Sequence, residues 1–178
     1  SKYKRTNGDI KIAVSAWSNC PRAAERKYGH ISLWDTSSVT SMYLLFSLNT
    51  TFNDDISGWD VSNVTDMGFM FCGASSFNCD IGDWNTSSVT DMRGMFEGAT
   101  HFNHDLDKWS TSRVTHMYFM FAFATSFNGN ISGWDTSRVT DMRCMFKEAR
   151  SFNGDLSRWD TSNVTNMHSM FREAVSFQ

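Results

Sequence analysis

Apolar residues recur along the chain with a period of 25 residues. One phase of the repeat is always Trp, a second is always Val and a third is always Phe. The tryptophans are Trp34, Trp59, Trp84, Trp109, Trp134 and Trp159. A fixed period of this length indicates stacked copies of one small unit, because about 25 residues cannot bury enough apolar surface alone. We predict five complete repeats and a shorter sixth, at residues 34–58, 59–83, 84–108, 109–133, 134–158 and 159–178.

Within each repeat, the apolar spacing predicts a short helix. The second repeat has apolar residues at i, i+3, i+6, i+7 and i+10, which share one helical face. They are Val64, Met67, Met70, Phe71 and Ala74. Thr65 is placed as the N-cap of this helix, and a short extended segment follows around Asp80 and Ile81. The predicted fold class is therefore α/β: a curved solenoid with one short strand and one short helix in each coil.

Residues 1–33 do not show the repeat. Residues 1–8 are polar, and we expect them to be frayed. From Ile10 to Trp17 the apolar spacing is helical, with Asp9 placed as the N-cap, and a second short helix is expected from Pro21 to a C-cap at Gly29. We predict that residues 1–33 form a tail and a helical N-terminal cap, and that residues 34–178 form the solenoid.

The repeated motif also resembles a known family. The run WDTSxVTxMxxMFxxAxSFNxDIS resembles the repeat of BspA-like leucine-rich-repeat surface proteins, a bacterial surface-protein repeat that is also common in marine algae. The resemblance covers residues 34–178, and the segment before them resembles the one that precedes such repeats in algal members. Asn49 and Ser110 depart from the pattern. The resemblance implies a leucine-rich-repeat-like solenoid, an extracellular or cell-surface location, and a role in adhesion or protein binding.

Composition excludes several classes of partner. The net charge is −3 and no basic stripe is present, so we expect no nucleic acid. No apolar run approaches the roughly 20 residues that a membrane span needs, and no targeting segment is visible. The four cysteines, which lie off the repeat phases, leave the redox compartment open, although Cys72 and Cys79 share one repeat and could pair.

Two polar columns are interpreted as structural ladders. The first has Asn at each position: Asn53, Asn78, Asn103, Asn128 and Asn153. We expect these side chains to satisfy backbone groups of the neighbouring coil in buried turns. The second column contains Asp55, Asp80, Asp105 and Asp155, with Asn130 in the fourth repeat. Asn130 keeps the acceptor oxygen but removes the charge, which favours turn hydrogen bonds over calcium.

We expect no metal, cofactor or catalytic site. His101, His104 and His116 lie at phases where other repeats have different residues, which favours solvated side chains over zinc ligands. No nucleophile is paired with a base at any repeated phase, and no phosphate-binding loop is present. Asn63 and Asn163 begin glycosylation sequons at a freely varying phase and are possible glycan sites in a secreted protein.

The phases that vary between repeats are the candidate partner-binding positions, because core packing does not dictate them. They carry exposed aromatic, apolar and arginine side chains. The candidates are Tyr43, Leu44, Phe69, Arg93, Tyr118, Phe119, Phe123 and Arg143. The alternative is that the helix is tilted and one of the two phases that follow the first Met is partly buried. Full burial of Phe69 and Phe119 inside the chain would contradict the partner-binding hypothesis.

The leading functional prediction is a non-enzymatic protein-interaction or adhesion module that presents a rigid repeat face. One alternative is a structural subunit that stacks end to end through an uncapped C-terminal coil around Trp159, Phe171 and Phe177. Another is an ice- or polysaccharide-binding surface on a threonine column that Val61 interrupts. That column contains Thr36, Thr86, Thr111, Thr136 and Thr161.

Overall fold

The computed structural model describes all residues, 1–178. Helix α1 spans Ile10–Asn19 and helix α2 spans Pro21–Tyr28, followed by a short 3₁₀ helix at Ile31–Leu33. From Trp34 onward the chain forms six stacked coils, which we number after the six repeats, and they contain no helix and no strand. The predicted α/β, leucine-rich-repeat-like solenoid, with a strand and a helix in each coil, is therefore wrong.

Successive coils instead meet in register through isolated parallel β-bridges, one for each pair of coils. These bridges join Ser41 to Asp66, Asp66 to Asp91, Asp91 to His116, His116 to Asp141, and Asp141 to Asn166. A single bridge fixes the register of two coils without making a sheet. The 25-residue period therefore corresponds to one coil of the stack, and each coil is built from turns.

Left-handed residues explain why the predicted helices are absent. Two phases, four residues apart, have positive φ in every coil. The first contains Leu44, Phe69, Gly94, Phe119, Cys144 and Ser169, and the second contains Leu48, Gly73, Gly98, Phe123, Glu148 and Glu173. A right-handed helix cannot pass through such residues. Each is the third residue of a turn, as where the Leu45 N–H donates to the Met42 carbonyl, and positive φ at that position is typical of a type II turn.

Backbone hydrogen bonds alternate between local turns and the next coil. In the first coil, the N–H groups of Leu44, Phe46 and Leu48 donate to the second coil at 3.0, 2.8 and 2.7 Å. The amides between them donate to carbonyls three residues earlier in their own coil. This alternation satisfies buried backbone groups without regular secondary structure.

Two further local predictions are wrong, because turns and hydrogen bonds between coils take the place of regular secondary structure. The predicted extended segment at Ile81 is a turn, because the Trp84 N–H donates to the Ile81 carbonyl at 3.1 Å. Thr65 does not cap a helix. Its N–H and its hydroxyl both donate to the carbonyl of Thr40 in the preceding coil, at 2.8 and 3.3 Å.

The apolar phases form one continuous core along the stack. Two phenylalanine columns run side by side, so that the Phe71 ring lies 3.8 Å from Phe77 and 5.7 Å from Phe96. The tryptophans lie in file, and each indole N–H from the second coil onward donates to a carbonyl 28 residues earlier, as from Trp109 to Ile81 at 3.0 Å. These bonds lock each coil to the one before it.

The N-terminal residues are packed, so the prediction that they are frayed is wrong. Arg5 is 3% exposed and lies over the rings of Tyr28 and Trp34, at 4.9 and 5.3 Å. Lys4 forms a parallel bridge with Asp35. The tail therefore extends the stack by part of a turn ahead of the first coil.

Side chains of the cap replace the backbone of a missing earlier coil. The Asn7 side-chain oxygen accepts the Thr40 N–H at 2.9 Å, where later coils use the carbonyl of the preceding threonine. Asn49 departs from the alanine of other repeats because its amide donates to Ser18 of α1 at 2.6 Å. Trp17 of α1 donates to Asp54 at 2.7 Å. The tail and helix α1 are thus tied to the first coil by side chains that the repeat does not supply.

The predicted helix caps are present only in part. Gly29 follows α2 with φ of 77°, and its N–H donates to the Glu25 carbonyl, as expected for a C-cap. Asp9 precedes α1, but its side chain caps no helical N–H. Its carboxylate accepts the Thr6 N–H at 2.8 Å instead and pairs with Arg5 at 3.2 Å.

Candidate partner-binding face

The eight predicted partner-binding residues lie on the outer side of the stack, at and beside the left-handed phases. Together with Lys11 and Lys147, which contact them, they form what we call the aromatic–cation face. Phe69 and Phe119 are partly exposed, although both neighbours of Phe69, Gly68 and Met70, are buried. Leu44 is 41% exposed. Full burial of Phe69 and Phe119, which would have contradicted the partner-binding hypothesis, is therefore not found, but both are partly buried, as the alternative expected.

The lower part of the face is built across a buried glycine. Tyr43 and Phe69 meet edge to face at 6.3 Å, and the Arg93 guanidinium lies 5.6 Å from the Tyr43 ring centroid. A β-carbon on Gly68 would lie 3.1 Å from Tyr43 and 3.3 Å from Arg93. Glycine at this position thus lets side chains of the first and third coils meet over the second. Lys11 of α1 lies 5.6 Å from the same tyrosine ring.

The upper part of the face belongs to the fourth and fifth coils. The Arg143 guanidinium lies 4.5 Å from the Tyr118 ring centroid, and Tyr118 contacts Phe119 edge to face at 6.2 Å. Lys147 lies 5.1 Å from the Phe123 ring. Cation–π contacts at such distances contribute about 0.5–1 kcal/mol each at exposed sites. The aromatic rings of Tyr43, Tyr118 and Phe123 therefore each carry a cation of their own chain.

The carboxylates that pair with the arginines are recessed. Asp91 lies 3.3 Å from Arg93, and Asp141 lies 3.5 Å from Arg143. Each carboxylate also accepts the backbone N–H of the same arginine at 3.0 Å. The two aspartates are 18% exposed, whereas the arginine side chains are 32% and 43% exposed. The outermost charge on this face is therefore positive.

Sequence reasoning missed the two lysines of the face. Lys147 follows Phe123 by 24 residues, close to one repeat period, so its phase was a usable signal. Lys11 lies on α1, outside the repeat, and no periodicity places it beside Tyr43.

The asparagine column forms an unbroken chain of hydrogen bonds between coils. The Asn53 side-chain oxygen accepts the Asn78 N–H at 2.8 Å, and the same bond recurs at each step up to Asn153, which accepts from Gln178 at 3.1 Å. The side chains lie in exposed turns, whereas buried turns were expected. Their role in the structure is to join the backbones of neighbouring coils.

The aspartate column makes turn hydrogen bonds. Asp55, Asp80 and Asp155 each accept the N–H two residues on, at 3.0, 3.0 and 2.9 Å. Asp105 accepts the Asn130 N–H of the next coil at 2.8 Å. No three His, Cys, Asp or Glu side chains in the chain converge into a metal-binding group.

The histidines and cysteines do not gather into a site. His101 and His104 of the third repeat contact the carbonyls of Ser75 and Asn78 in the second repeat, at 2.6 and 2.8 Å. His116 contacts the Thr115 hydroxyl at 3.0 Å. All four cysteines are free, so the pair that Cys72 and Cys79 could form is not made. One surface depression of about 730 Å³, between Arg113 and Arg138, has no apolar lining residue.

The threonine column proposed for ice or polysaccharide is not a surface. Thr36, Thr86, Thr111 and Thr136 are buried, and their hydroxyls donate to carbonyls of the next coil at 2.8–3.0 Å. A buried hydroxyl that already has an acceptor cannot meet a crystal or a glycan, so these four threonines do not form the expected surface; Thr161 of the last coil is exposed.

The possible glycan sites and the last coil lie in the open. The side-chain amides of Asn63 and Asn163 are exposed and donate to Ser37 and Ser137 carbonyls, at 2.8 and 2.7 Å. Trp159, Phe171 and Phe177 of the last coil are partly exposed. Neither helix has the length and apolar character needed to cross a bilayer.

Comparison with protein families gives two overlapping matches to one family model, described as Mycoplasma protein of unknown function, DUF285. The matches cover residues 15–122 and 102–178. The chain belongs to this family. Consecutive matches along one chain support a family of repeat proteins, and they do not single out the BspA-like leucine-rich-repeat proteins. No curated protein and no solved structure matches the chain.

Proposed function

We propose that this DUF285 repeat chain is a non-enzymatic binding module that holds a partner protein against its aromatic–cation face. The observation that carries the proposal is the partial exposure of Phe69 and Phe119 at left-handed positions of an otherwise well-packed stack. Large aromatic side chains and arginine supply most of the binding energy in protein interfaces. Partly exposed aromatic and arginine side chains set in a row on the stack therefore favour a contact surface for a protein.

The stack supports binding by holding these side chains still. Phe69 is flanked by Met67, Met70 and Phe71, all fully buried, and its N–H donates to the Arg93 carbonyl at 2.8 Å. Phe119 is held in the same way by the Arg143 carbonyl at 3.0 Å. Side chains that are ordered before binding lose less entropy on association, which increases affinity without new contacts.

The resemblance to BspA-like surface proteins supports a finer version of the proposal, in which the module acts in adhesion at a cell surface. The sequons at Asn63 and Asn163 are exposed and include none of the residues of the aromatic–cation face, so a glycan there would replace no side chain of the face. In this version the partner is a protein of another cell or of the surrounding matrix.

The test replaces both phenylalanines without disturbing the backbone. Phe69→Gly with Phe119→Gly keeps the left-handed conformation, which glycine adopts freely. Glu148→Gly with Glu173→Gly changes two other left-handed positions and serves as the matched control. A partner captured by cross-linking to the intact chain would be purified and its affinity for both variants measured by calorimetry.

We expect the phenylalanine variant to bind at least about 30-fold more weakly, which corresponds to 2 kcal/mol for an interface hot spot. The control variant should bind as the parent does. Equal affinity of the parent and the phenylalanine variant would contradict the proposed function, since the face would then contribute nothing.

A further inference from the structure

We infer that the segment bound on the aromatic–cation face is an acidic peptide in which carboxylates alternate with apolar side chains. The inference rests on the proposed function and names the chemistry of the partner. It begins from the cations that cover the rings: Arg93 and Lys11 over Tyr43, Arg143 over Tyr118, and Lys147 over Phe123.

A guanidinium that lies over an aromatic ring is ordered before a ligand arrives. Its planar fork of N–H donors still projects from the ring and matches a carboxylate with two parallel hydrogen bonds. Arg93 and Arg143 are separated by two coils, about 10 Å at a spacing of about 4.8 Å for each coil. The face therefore offers two preformed carboxylate-binding positions with an aromatic surface between them.

The charge distribution favours an anionic partner at this place in the stack. The fourth coil, residues 109–133, contains no Asp and no Glu, and it carries Tyr118, Phe119 and Phe123. At the bridge phase it has His116 where the coils on both sides have Asp91 and Asp141. By contrast the second coil, residues 59–83, has four aspartates and no Lys or Arg.

Arg93 and Arg143 are the expected anchors, and Lys147 is secondary. Lys147 interacts with the Glu97 carboxylate of the third coil. Burial raises the pKa of Glu97, and the positive charge of Lys147 opposes that rise. Arg93 is paired with the recessed Asp91 and also lies near Tyr118 and Asp66, and Arg143 is paired with the recessed Asp141. The carboxylates of Asp91 and Asp141 are already engaged with backbone N–H groups.

The apolar side chains on the same face distinguish a peptide from a sulfated polysaccharide. Leu44, Phe69 and Phe119 lie in the column next to the arginines and would contact apolar groups of the ligand. An acidic peptide with apolar residues supplies such groups beside its carboxylates. A sulfated polysaccharide supplies the negative charge but has no side chains to cover these three residues.

The experiment measures binding of three labelled polymers to the full chain at low and at moderate salt. The probes are a glutamate–tyrosine copolymer, a lysine–tyrosine copolymer and dextran sulfate. The test variant is Arg93→Gln with Arg143→Gln. The matched control is Arg113→Gln with Arg138→Gln, which removes the same charge from exposed arginines five positions earlier in their coils. Circular dichroism melting would verify that both variants fold.

We expect the glutamate–tyrosine copolymer to bind, with an affinity that falls as salt rises. The test variant should bind about tenfold more weakly or worse, a loss of about 1.4 kcal/mol or more, because it lacks both guanidinium groups that would pair with carboxylates. The control should lose less than about twofold. Equal loss in both variants, a preference for the lysine–tyrosine copolymer, or tighter binding of dextran sulfate through Arg93 and Arg143 would each overturn the inference.

Failure of this inference is distinguishable from failure of the proposed function. A captured partner that depends on Phe69 and Phe119 while no acidic polymer binds would overturn the acidic-peptide assignment alone. A partner that binds without these phenylalanines would overturn the proposed function, whatever the polymers do.

Discussion

The ring of Phe69 lies over the backbone of Gly94, so closely that a β-carbon on Gly94 would overlap the ring. Phe69 belongs to the second coil and Gly94 to the same left-handed phase of the third. Because Gly94 has no side chain, the Phe69 ring can lie directly on the backbone of the third coil. The position of this ring on the aromatic–cation face therefore depends on a glycine at residue 94.

Substitution of Gly94 by alanine should therefore destabilise the protein and displace Phe69. A left-handed alanine costs about 1–2 kcal/mol, and the overlap with the ring adds about 1–3 kcal/mol. Gly98→Ala is the matched control, because Gly98 also has positive φ but its β-carbon would have only the backbone of Gly73 nearby, at 3.6 Å. Urea denaturation should show the larger loss for Gly94→Ala. Equal losses would mean that the ring moves away freely.

Removal of one indole N–H should weaken the whole stack. Trp109→Phe removes the 3.0 Å bond to the Ile81 carbonyl, which keeps its bond from the Trp84 N–H, so the loss is about 0.5–1.5 kcal/mol before the smaller ring is considered. Trp159→Phe in the last coil should cost less, because that ring is partly exposed. Both free energies of unfolding come from denaturant titration. A harmless Trp109→Phe would show that stacking alone, without the hydrogen bond, holds the file together.

Acid should destabilise the turns that serines close. In five exposed aspartates, the hydroxyl and then the backbone N–H of the serine two residues on hold the pKa below its ordinary value; they are Asp35, Asp55, Asp135, Asp155 and Asp160. A lowered folded-state pKa contributes stability above the unfolded value of about 3.9, and this stability is lost as the pH falls below it.

Ser57→Ala with Ser157→Ala removes two of these hydroxyl donors and should flatten the fall in stability below about pH 4. Glu97 acts in the opposite sense, because burial raises its pKa and its ionisation destabilises the fold as pH rises above about 4.3. Urea denaturation at several pH values between about 2.5 and 6, which brackets both unfolded pKa values, gives the profile. An unchanged acid limb in the serine variant would contradict the assignment.

The cap should depend on one side chain of the tail. Asn7→Ala removes the acceptor for the Thr40 N–H and the donor to the Thr40 hydroxyl, at 2.9 and 2.8 Å. We expect a loss of about 0.5–1.5 kcal/mol, because both bonds lie at the exposed surface, and faster hydrogen exchange in the first coil. Asn7→Asp keeps the acceptor and should recover part of the loss. Uniform exchange across all six coils would show instead that the stack opens as a single unit.

The sequence predicted burial better than it predicted the backbone. Val64, Met67 and Phe71 lie in the core, as their spacing required. That spacing does not demand a helix, because a chain of tight turns also returns to the core after three and four residues. The signal for left-handed turns was three glycines, Gly73, Gly94 and Gly98, confined to two phases. Bulky residues at the same phases in other repeats concealed it.

The candidate face was predicted in the same partial way. Phe69 and Phe119 stand out because their phases vary between repeats, whereas core phases do not. The pairing of Arg93 with Tyr43 depends on Gly68 between them and so needed the stacking order as well as the period. The contact of Lys11 with Tyr43 depends on where α1 packs, which no repeat encodes.

The most direct test of this account is solution NMR of the backbone around Phe69 and Phe119. The structure requires positive φ at both residues, no run of helical chemical shifts from Val64 to Ala74, and cross-coil contacts between the Phe71 N–H and Met95. Finding all three would support an exposed aromatic row set by left-handed turns. Continuous helical shifts over those residues, with negative φ at Phe69, would contradict it.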